Sequence, residues 1–211
     1  MKNMNQLLSN ASKSLNHSKP SLPAEVEDIA GSLKSELLDM LSQRNGFYAL
    51  ENALHVYPSQ STAYEIGLRE WNENALWRDS YKDLITDCLF FAEDIFGGQF
   101  CIKKNKIYSF DPETADLEYV SDSIDGWARE IVNNYNFLTG YPLARQWQEI
   151  NGSIPPKSRL LPKIPFIAGG EFKLENLYLA DSIEGMKFRA EIAIQVKNLP
   201  EGTQITFDIT D

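Results

Sequence analysis

The sequence predicts an α+β fold, in which helices flank a mainly antiparallel sheet and a small C-terminal β-α-β extension packs on it. Helical spacing comes first along the chain, several short strand-like runs follow, and helical spacing then returns. Residues 89–110 are dense in aromatic and β-branched side chains and carry paired turn glycines. The chain has 211 residues, 43% of them hydrophobic, which is enough for one large domain or one domain with an appendage.

The N-terminal part is expected to hold a flexible segment and then a long helix. Residues 1–21 are rich in Asn, Ser and Lys, so we predict at most a frayed helix there. Leu22-Pro23 opens a stretch in which apolar residues recur at three- and four-residue steps, as on one face of a helix. Asn45-Gly46 supplies the left-handed backbone of a C-terminal cap and predicts the end of that helix.

Two tryptophans lie in the connection that follows. Residues 47–57 predict a short strand and a loop, and residues 62–85 predict one or two short helices. Trp71 and Trp77 fall in this polar, loop-prone region, where exposed tryptophans often anchor interfaces. We therefore predict that both are candidate partner contacts.

A sheet and a second helix complete the core domain, predicted at residues 22–140. Ser121 or Ser123 is placed to cap a helix that carries Trp127 on an apolar face, so Trp127 is predicted to be core. The predicted strands are short β-rich runs separated by turns, at residues 89–92, 99–102, 106–110 and 117–120.

Residues 141–211 are predicted to form the C-terminal extension. About seventy residues bury too little surface to stand alone, so this unit should dock on the main sheet. In chain order it is predicted as a helix at 141–150, an extended proline-rich run at 153–165, a strand at 172–179, a helix at 181–197 and a closing strand at 203–209.

Composition excludes several classes of protein. A net charge of −10 argues against nucleic-acid binding, which needs clustered Lys and Arg. The apolar runs fall short of a membrane span, and the first twenty residues lack the apolar core of a secretory signal. We therefore expect a cytoplasmic protein with no membrane partner. Cys88 and Cys101 are expected to be free, buried thiols.

Glu93-Asp94 is the best candidate pair for catalysis. Adjacent strand residues point to opposite faces, but in a turn they could converge, joined by Glu51 or Asp111, as a hydrolytic pair or a magnesium site. We favour the interpretation that they satisfy backbone donors at a tight turn. Gly97-Gly98 is read as turn glycines, since no Lys-Ser/Thr follows as in a phosphate loop.

The other reactive residues do not assemble into a site in the sequence. His17 and His55 are the only histidines, and Cys88, Cys101 and His55 show no metal-ligand spacing. A nucleophile with a histidine base would depend on His55 alone. We therefore predict no catalytic residues, no metal and no cofactor.

The order of these motifs resembles the SUKH superfamily, which groups fungal cell-wall-synthesis regulators (Smi/Knr type) with immunity proteins of bacterial polymorphic toxin systems. The resemblance spans residues 22–138, and residues 160–211 resemble the C-terminal extension of a bacterial subset. The residues that carry it are Leu22-Pro23, Asn45-Gly46, Phe91-Ala92-Glu93-Asp94, Gly97-Gly98-Gln99-Phe100-Cys101-Ile102, Tyr108 to Asp111, and the helix with Trp127.

The resemblance implies a non-enzymatic α+β protein that binds a cognate toxin and occludes it. Residues 111–130 contain seven acids and one base, a stripe that would complement a basic nuclease toxin. The alternatives are a solvated face, a regulatory protein of the cell-wall type, or a carboxylate- or metal-dependent hydrolase. The oligomeric state is left open. The candidate contacts are Trp71, Trp77, Glu93, Asp94, Asp111, Glu113, Asp116, Glu118, Asp122 and Asp125.

Overall fold

The fold is built on a six-stranded antiparallel sheet whose strands pair in chain order. A computed structural model describes residues 1–197 and Leu199. The α+β class with an antiparallel sheet is therefore confirmed. The strands are β1 (Phe47–Ala49), β2 (Leu54–Val56), β3 (Leu89–Asp94), β4 (Gln99–Lys103), β5 (Lys106–Phe110) and β6 (Leu117–Ser121).

Helices pack around this sheet, and a second, two-stranded sheet lies in the C-terminal part. The helices are α1 (Lys2–Ser9), α2 (Ala24–Ala30), α3 (Lys34–Gln43), α4 (Leu68–Trp71), α5 (Ile124–Leu138), α6 (Tyr141–Asn151) and α7 (Ser182–Lys197). Short 3₁₀ turns occur at Gly31–Leu33, Arg78–Leu84, Phe166–Ala168 and Leu174–Asn176. The strands of the second sheet are β7 (Ser158–Pro162) and β8 (Leu177–Asp181).

The N-terminal segment is ordered, so the prediction that it is flexible is wrong. Met4, Leu7 and Leu8 of α1 are buried, and the helix packs along α5. The carboxylate of Asp125 accepts hydrogen bonds from the Met4 amide (3.0 Å) and the Asn3 side chain (2.9 Å). An acid at the positive end of a helix stabilises it, so Asp125 holds α1 in place. The residues that α1 contacts lie far along the chain, and the composition of residues 1–21 does not reveal such contacts.

The two faces of the sheet carry different aromatic groups. On one face Trp127 of α5 packs against Phe91 and Phe100, with ring centroids 5.0 and 5.6 Å apart, and its prediction as core is confirmed. Ser123 caps α5 by accepting the Gly126 amide. A register shift between Phe90 and Ala92 marks a bulge in β3. Because of this bulge, Phe91 and Glu93 contact opposite sides of the sheet although they are two residues apart.

The opposite face of the sheet carries Trp71 and Trp77, and their predicted exposure is wrong. The two side chains are 0% and 1% exposed. Trp71 donates its indole N–H to Gln99 Oε1 (2.9 Å), and Trp77 donates to the carbonyl of Trp71 (2.8 Å). Polar neighbours in the sequence suggested a surface loop, but this segment folds over the sheet and turns both rings inward.

The C-terminal extension packs on the main sheet, as predicted. Met186, Ala190 and Ala193 of α7 belong to the main hydrophobic core. Its strand arrangement differs from the prediction, because the proline-rich run contains β7, which pairs with β8 before α7 begins. In the described part of the extension the order is therefore β-β-α. The strand predicted at 203–209 lies outside the described residues. Cys88 and Cys101 are free and buried, as expected.

Candidate functional site

Glu93 lies in a sealed cluster of polar side chains beneath the C-terminal extension. Its Oε1 atom lies 3.0 Å from His55 Nδ1 and 2.7 Å from Arg159 Nη2, and Gln99 donates to its Oε2 (3.3 Å). Glu93 and Arg159 are each 1% exposed. Arg159 belongs to β7, so this ion pair joins the extension to the centre of the main sheet.

The charges of this cluster are set by the balance of burial and partners. Burial alone would raise the pKa of Glu93, but the Arg159 guanidinium and the His55 hydrogen bond outweigh it and lower that pKa to about 2. Burial lowers the pKa of His55, so its ring is neutral and donates to Glu93. Burial would lower the pKa of Arg159, but nearby Glu93 raises it above its ordinary value.

Two further residues close the cluster. The Tyr48 ring stacks on His55 with centroids 4.5 Å apart, and its hydroxyl donates to Glu65 Oε2 (3.0 Å). Burial raises the pKa of Glu65. His55 Nε2 has no hydrogen bond and lies 3.8 Å from Glu65 Oε2. These polar groups are engaged with one another inside the protein, and they join strands rather than face a substrate.

Asp94, the next residue, caps the β3–β4 turn. Its Oδ1 atom accepts the amide hydrogens of Phe96 and Gly98, both at 2.8 Å, which confirms for Asp94 that it satisfies backbone donors at a tight turn. Gly97 has a φ of +77°, and a Cβ there would meet the Arg189 guanidinium. A Cβ on Gly98 would meet the Asp94 carboxylate. The double glycine therefore serves the close approach of these two side chains.

A pocket of about 500 Å³ opens beside this turn. The ends of β3, β5 and β6 form one side, the junction of α5 and α6 a second, and the extension a third. Phe166 and Phe172 stack with centroids 3.9 Å apart, and Phe96 meets both edge-on at 5.6 Å. Phe137 and Phe172 are 85% and 61% exposed, so the pocket has apolar surface open to solvent.

The charged groups that line the pocket are one guanidinium and four carboxylates. Arg189 of α7 is 3% exposed, donates to the carbonyls of Phe96 and Gly185, and has no carboxylate within ion-pair distance among the described residues. Burial raises the pKa of Asp94 to about 7, against the opposing effects of the Gly98 and Phe96 amides and Arg189. The lining carboxylates are Asp94, Asp111, Glu113 and Glu118.

The predicted acidic contacts divide into separate groups. Glu113 is only 3% exposed, its Oε2 accepts the Ile167 amide (2.8 Å), and burial raises its pKa. Glu93 and Asp125 have internal partners, as described above. The exposed acids are Asp111 and Glu118 at the pocket, Asp116 paired with Lys197 (3.1 Å), and Asp122 near Lys106 (3.6 Å).

Sequence reasoning missed Arg159 and Arg189. Arg159 precedes the apolar pair Leu160 and Leu161 in a proline-rich run, and Arg189 lies directly before Ala190 among the apolar residues of α7. A charged residue embedded in an otherwise apolar pattern was the available signal, because such a residue is buried only with polar partners.

Neither a metal-ligand set nor a membrane helix appears in the described part of the chain. Residues 1–197 and Leu199 contain no group of three or more His, Cys, Asp and Glu side chains placed to hold a metal ion. Glu51 contacts Tyr141 through its carboxylate and does not join Glu93 or Asp94. Over the same residues, no helix is both long and apolar enough to cross a membrane.

Comparison with known proteins yields a fold neighbour. No protein-family model matches the chain, and no curated protein matches it. The crystal structure of Atu4351 from Agrobacterium tumefaciens is similar, with a TM-score of 0.55 over 87% of this chain and 86% of that chain. The two sequences are 12% identical, so the likeness concerns the fold alone.

Proposed function

We propose that this is a non-enzymatic binding protein of the cytoplasm that neutralises a cognate bacterial toxin by binding and occluding it. The observation that carries the proposal is an open apolar pocket with exposed acids beside it. Phe137 and Phe172 are exposed at the pocket, and Asp111 and Glu118 contribute carboxylates to it. An apolar centre with a charged rim is the usual anatomy of a protein interface.

Charge selects the kind of partner. The chain has a net charge of −10, and Asp116 and Asp122 extend the exposed acidic surface of residues 111–122 beyond the pocket. Such a surface attracts a basic protein from a distance and orients it. A nuclease is basic where it binds phosphates, so a nuclease toxin fits the proposal, and covering that surface would block its substrate.

The placement of the reactive side chains also favours binding over reaction. His55 and Glu93 lie in the sealed cluster, and Asp94 holds the β3–β4 turn through two backbone amides. Apart from His55 Nε2 and Asp94 Oδ2, the hydrogen-bonding atoms of these three side chains have partners within the protein. The resemblance of the motif order to the SUKH superfamily adds independent support for a binding role.

Co-expression with the adjacent reading frame tests the proposal. We expect the neighbour to be toxic alone and harmless when this protein is present. Purified together, the two should form a complex whose Kd rises with salt, because exposed charges are screened. A neighbour that is harmless alone, or that stays toxic beside this protein, would remove the immunity function for that pair.

Charge reversal tests the acidic surface. The triple variant Asp116→Lys, Glu118→Lys, Asp122→Lys should weaken the complex, mainly through a slower association rate. The triple variant Asp28→Lys, Asp39→Lys, Asp83→Lys, at exposed acids that do not line the pocket, is the matched control and should bind as the wild type does. An unchanged Kd and salt dependence in the triple variant would remove electrostatic steering from the proposal.

A further inference from the structure

We infer that the pocket beside Asp94 receives a basic side chain, an arginine or a lysine, presented by the partner protein. The inference rests on the proposed function, because it names the part of the partner that this pocket would recognise. Three observations support it. The pocket has aromatic walls, the charge around these walls is negative, and the pocket contains carboxylate oxygens that accept no hydrogen bond from the described residues.

The aromatic walls suit the long stem of a basic side chain. Phe166 and Phe172 lie parallel, and Phe96 stands edge-on to both. Arginine and lysine bury their methylene stems on apolar surface, and their cations are attracted to aromatic faces. The exposed Phe172 ring gives an entering side chain a surface to lie on.

The charge around the walls is negative. Asp94, Asp111, Glu113 and Glu118 line the pocket, and Arg189 is the single cation among its described lining residues. Even with Asp94 and Glu113 protonated, the two exposed carboxylates outnumber that guanidinium. A cationic guest is therefore favoured over an anionic one.

The hydrogen bonds point the same way. Arg189 is already engaged, since its donors reach the carbonyls of Phe96 and Gly185 and the sulfur of Met186. By contrast, Asp94 Oδ2 and the Glu118 carboxylate accept no hydrogen bond from the described residues. These carboxylate oxygens are acceptors, and a guanidinium or ammonium group supplies only donors.

The extension gives this pocket its selectivity. Phe166, Phe172 and Arg189 all come from residues after the predicted core domain, so the main sheet alone would present an open acidic edge. The extension turns that edge into a pocket bounded by aromatic rings. A partner is thus recognised by a side chain of matching length as well as by its net charge.

A titration with small probes tests the inference without a partner. The ¹⁵N-labelled full-length protein is titrated with N-acetyl-arginine amide, with the neutral isostere N-acetyl-citrulline amide and with N-acetyl-glutamate amide. We expect the arginine probe to shift the amide signals of Phe96, Gly98 and Ile167, and the other two to shift them little. Equal shifts from arginine and citrulline, shifts from glutamate alone, or none at all would overturn the inference.

Binding to the toxin tests the same pocket in its functional setting. The double variant Phe172→Ala, Glu118→Gln should raise the Kd by about tenfold or more, because it removes an aromatic wall and a charge partner. Ile150→Ala and Asp28→Asn are matched controls, exposed side chains outside the pocket and outside the acidic surface, and each should change the Kd less than about twofold.

The outcomes separate the two proposals. If the toxin binds the pocket variant as tightly as the wild type, the basic side chain is excluded while the immunity function stands. If the neighbour does not bind, the immunity function fails for that pair, and the probe titration decides the preference of the pocket. All four substituted residues are exposed, so the variants should keep the fold.

Discussion

Glu93 and Asp94 are consecutive residues with opposite electrostatics. The pKa of Glu93 is lowered to about 2, whereas that of Asp94 is raised to about 7. Burial raises both pKa values, so the difference comes from the partners. Glu93 has the Arg159 cation at 2.7 Å, while Asp94 has two backbone amides and an arginine outside ion-pair distance. A full counter-charge in contact, more than burial, decides whether a carboxylate stays ionised.

The same contrast separates structure from recognition. In the sealed cluster the Glu93–Arg159 ion pair joins β7 to the sheet, and the atoms without a hydrogen bond there, such as His55 Nε2 and Arg159 Nε, are buried away from solvent. In the pocket Asp94 keeps one oxygen without a protein donor, beside aromatic rings that reach solvent. Glu93 therefore holds the fold together, whereas Asp94, the next residue, lies in the pocket proposed to bind a partner.

Glu93→Gln should disrupt the sealed cluster and cause the largest loss of unfolding free energy among these variants. The variant leaves the Arg159 guanidinium buried without its counter-charge, which costs about 3–5 kcal/mol of unfolding free energy. Urea denaturation at pH 7 measures this loss. In the wild type the same contribution is present above the ordinary pKa of 4.5 and is lost as the pH falls from there through about 2.

The double variant Glu93→Gln, Arg159→Met is the control for that change. It removes both charges, so it should be more stable than Glu93→Gln alone. If the losses from the two single variants simply add in the double variant, the ion pair does not couple the two elements.

Asp94→Asn should sharpen the contrast between Glu93 and Asp94, because it should change how the unfolding free energy depends on pH. Asparagine keeps the oxygen that accepts the Phe96 and Gly98 amides. In the wild type the folded state holds the Asp94 proton more tightly than the unfolded state does. Its unfolding free energy should therefore fall as the pH rises from about 3.8 through about 7, and Asp94→Asn should lose that decline.

At pH 8 the Asp94→Asn variant should be more stable than the wild type, by about 1.4 kcal/mol for each unit of pKa shift removed. Chemical denaturation from pH 4 to pH 8 measures the difference. Glu65 and Glu113 also have raised pKa values, so the wild type must be compared with the variant at every pH. If the unfolding free energies of the wild type and the variant change with pH in parallel, the pKa of Asp94 is not raised in the folded protein.

Asp111→Asn and Glu118→Gln should have the smallest effects on stability. Both side chains are exposed at the pocket, and the asparagine of the first variant would keep the oxygen that accepts the Glu113 amide. We expect each to change the unfolding free energy by less than about 0.5 kcal/mol, measured by urea denaturation. A loss of about 2 kcal/mol would assign these acids to the fold instead of the partner surface.

The sequence predicted the elements that depend on local signals. Residues 106–110 were expected as a strand and form β5, and the helix expected from residue 141 ends just before Gly152. The errors came from distant contacts. The order of α1 depends on Asp125, and the burial of Trp71 depends on Gln99, neither of which leaves a periodic pattern near the residue concerned.

In the candidate site too, features set by local signals were predicted, and features set by distant contacts were not. The turn role of Asp94 follows from an acid placed before two glycines, and it was predicted. The opposite pKa shifts of Glu93 and Asp94 were not predicted, because they depend on Arg159 and Arg189, which lie far along the chain in the extension. An apolar setting could have marked each arginine as buried, but local sequence does not show which distant groups it contacts.

The ion pair between Glu93 and Arg159 also sets an order of events during synthesis. Glu93 leaves the ribosome with β3, whereas Arg159 follows only after α5 and α6 have been made. Until then the centre of the sheet would contain a carboxylate without its cation, and a nascent chain folds from its N-terminal end. The sheet therefore reaches its final stability only after β7 emerges, and a chain interrupted before that point should be an easy substrate for proteases.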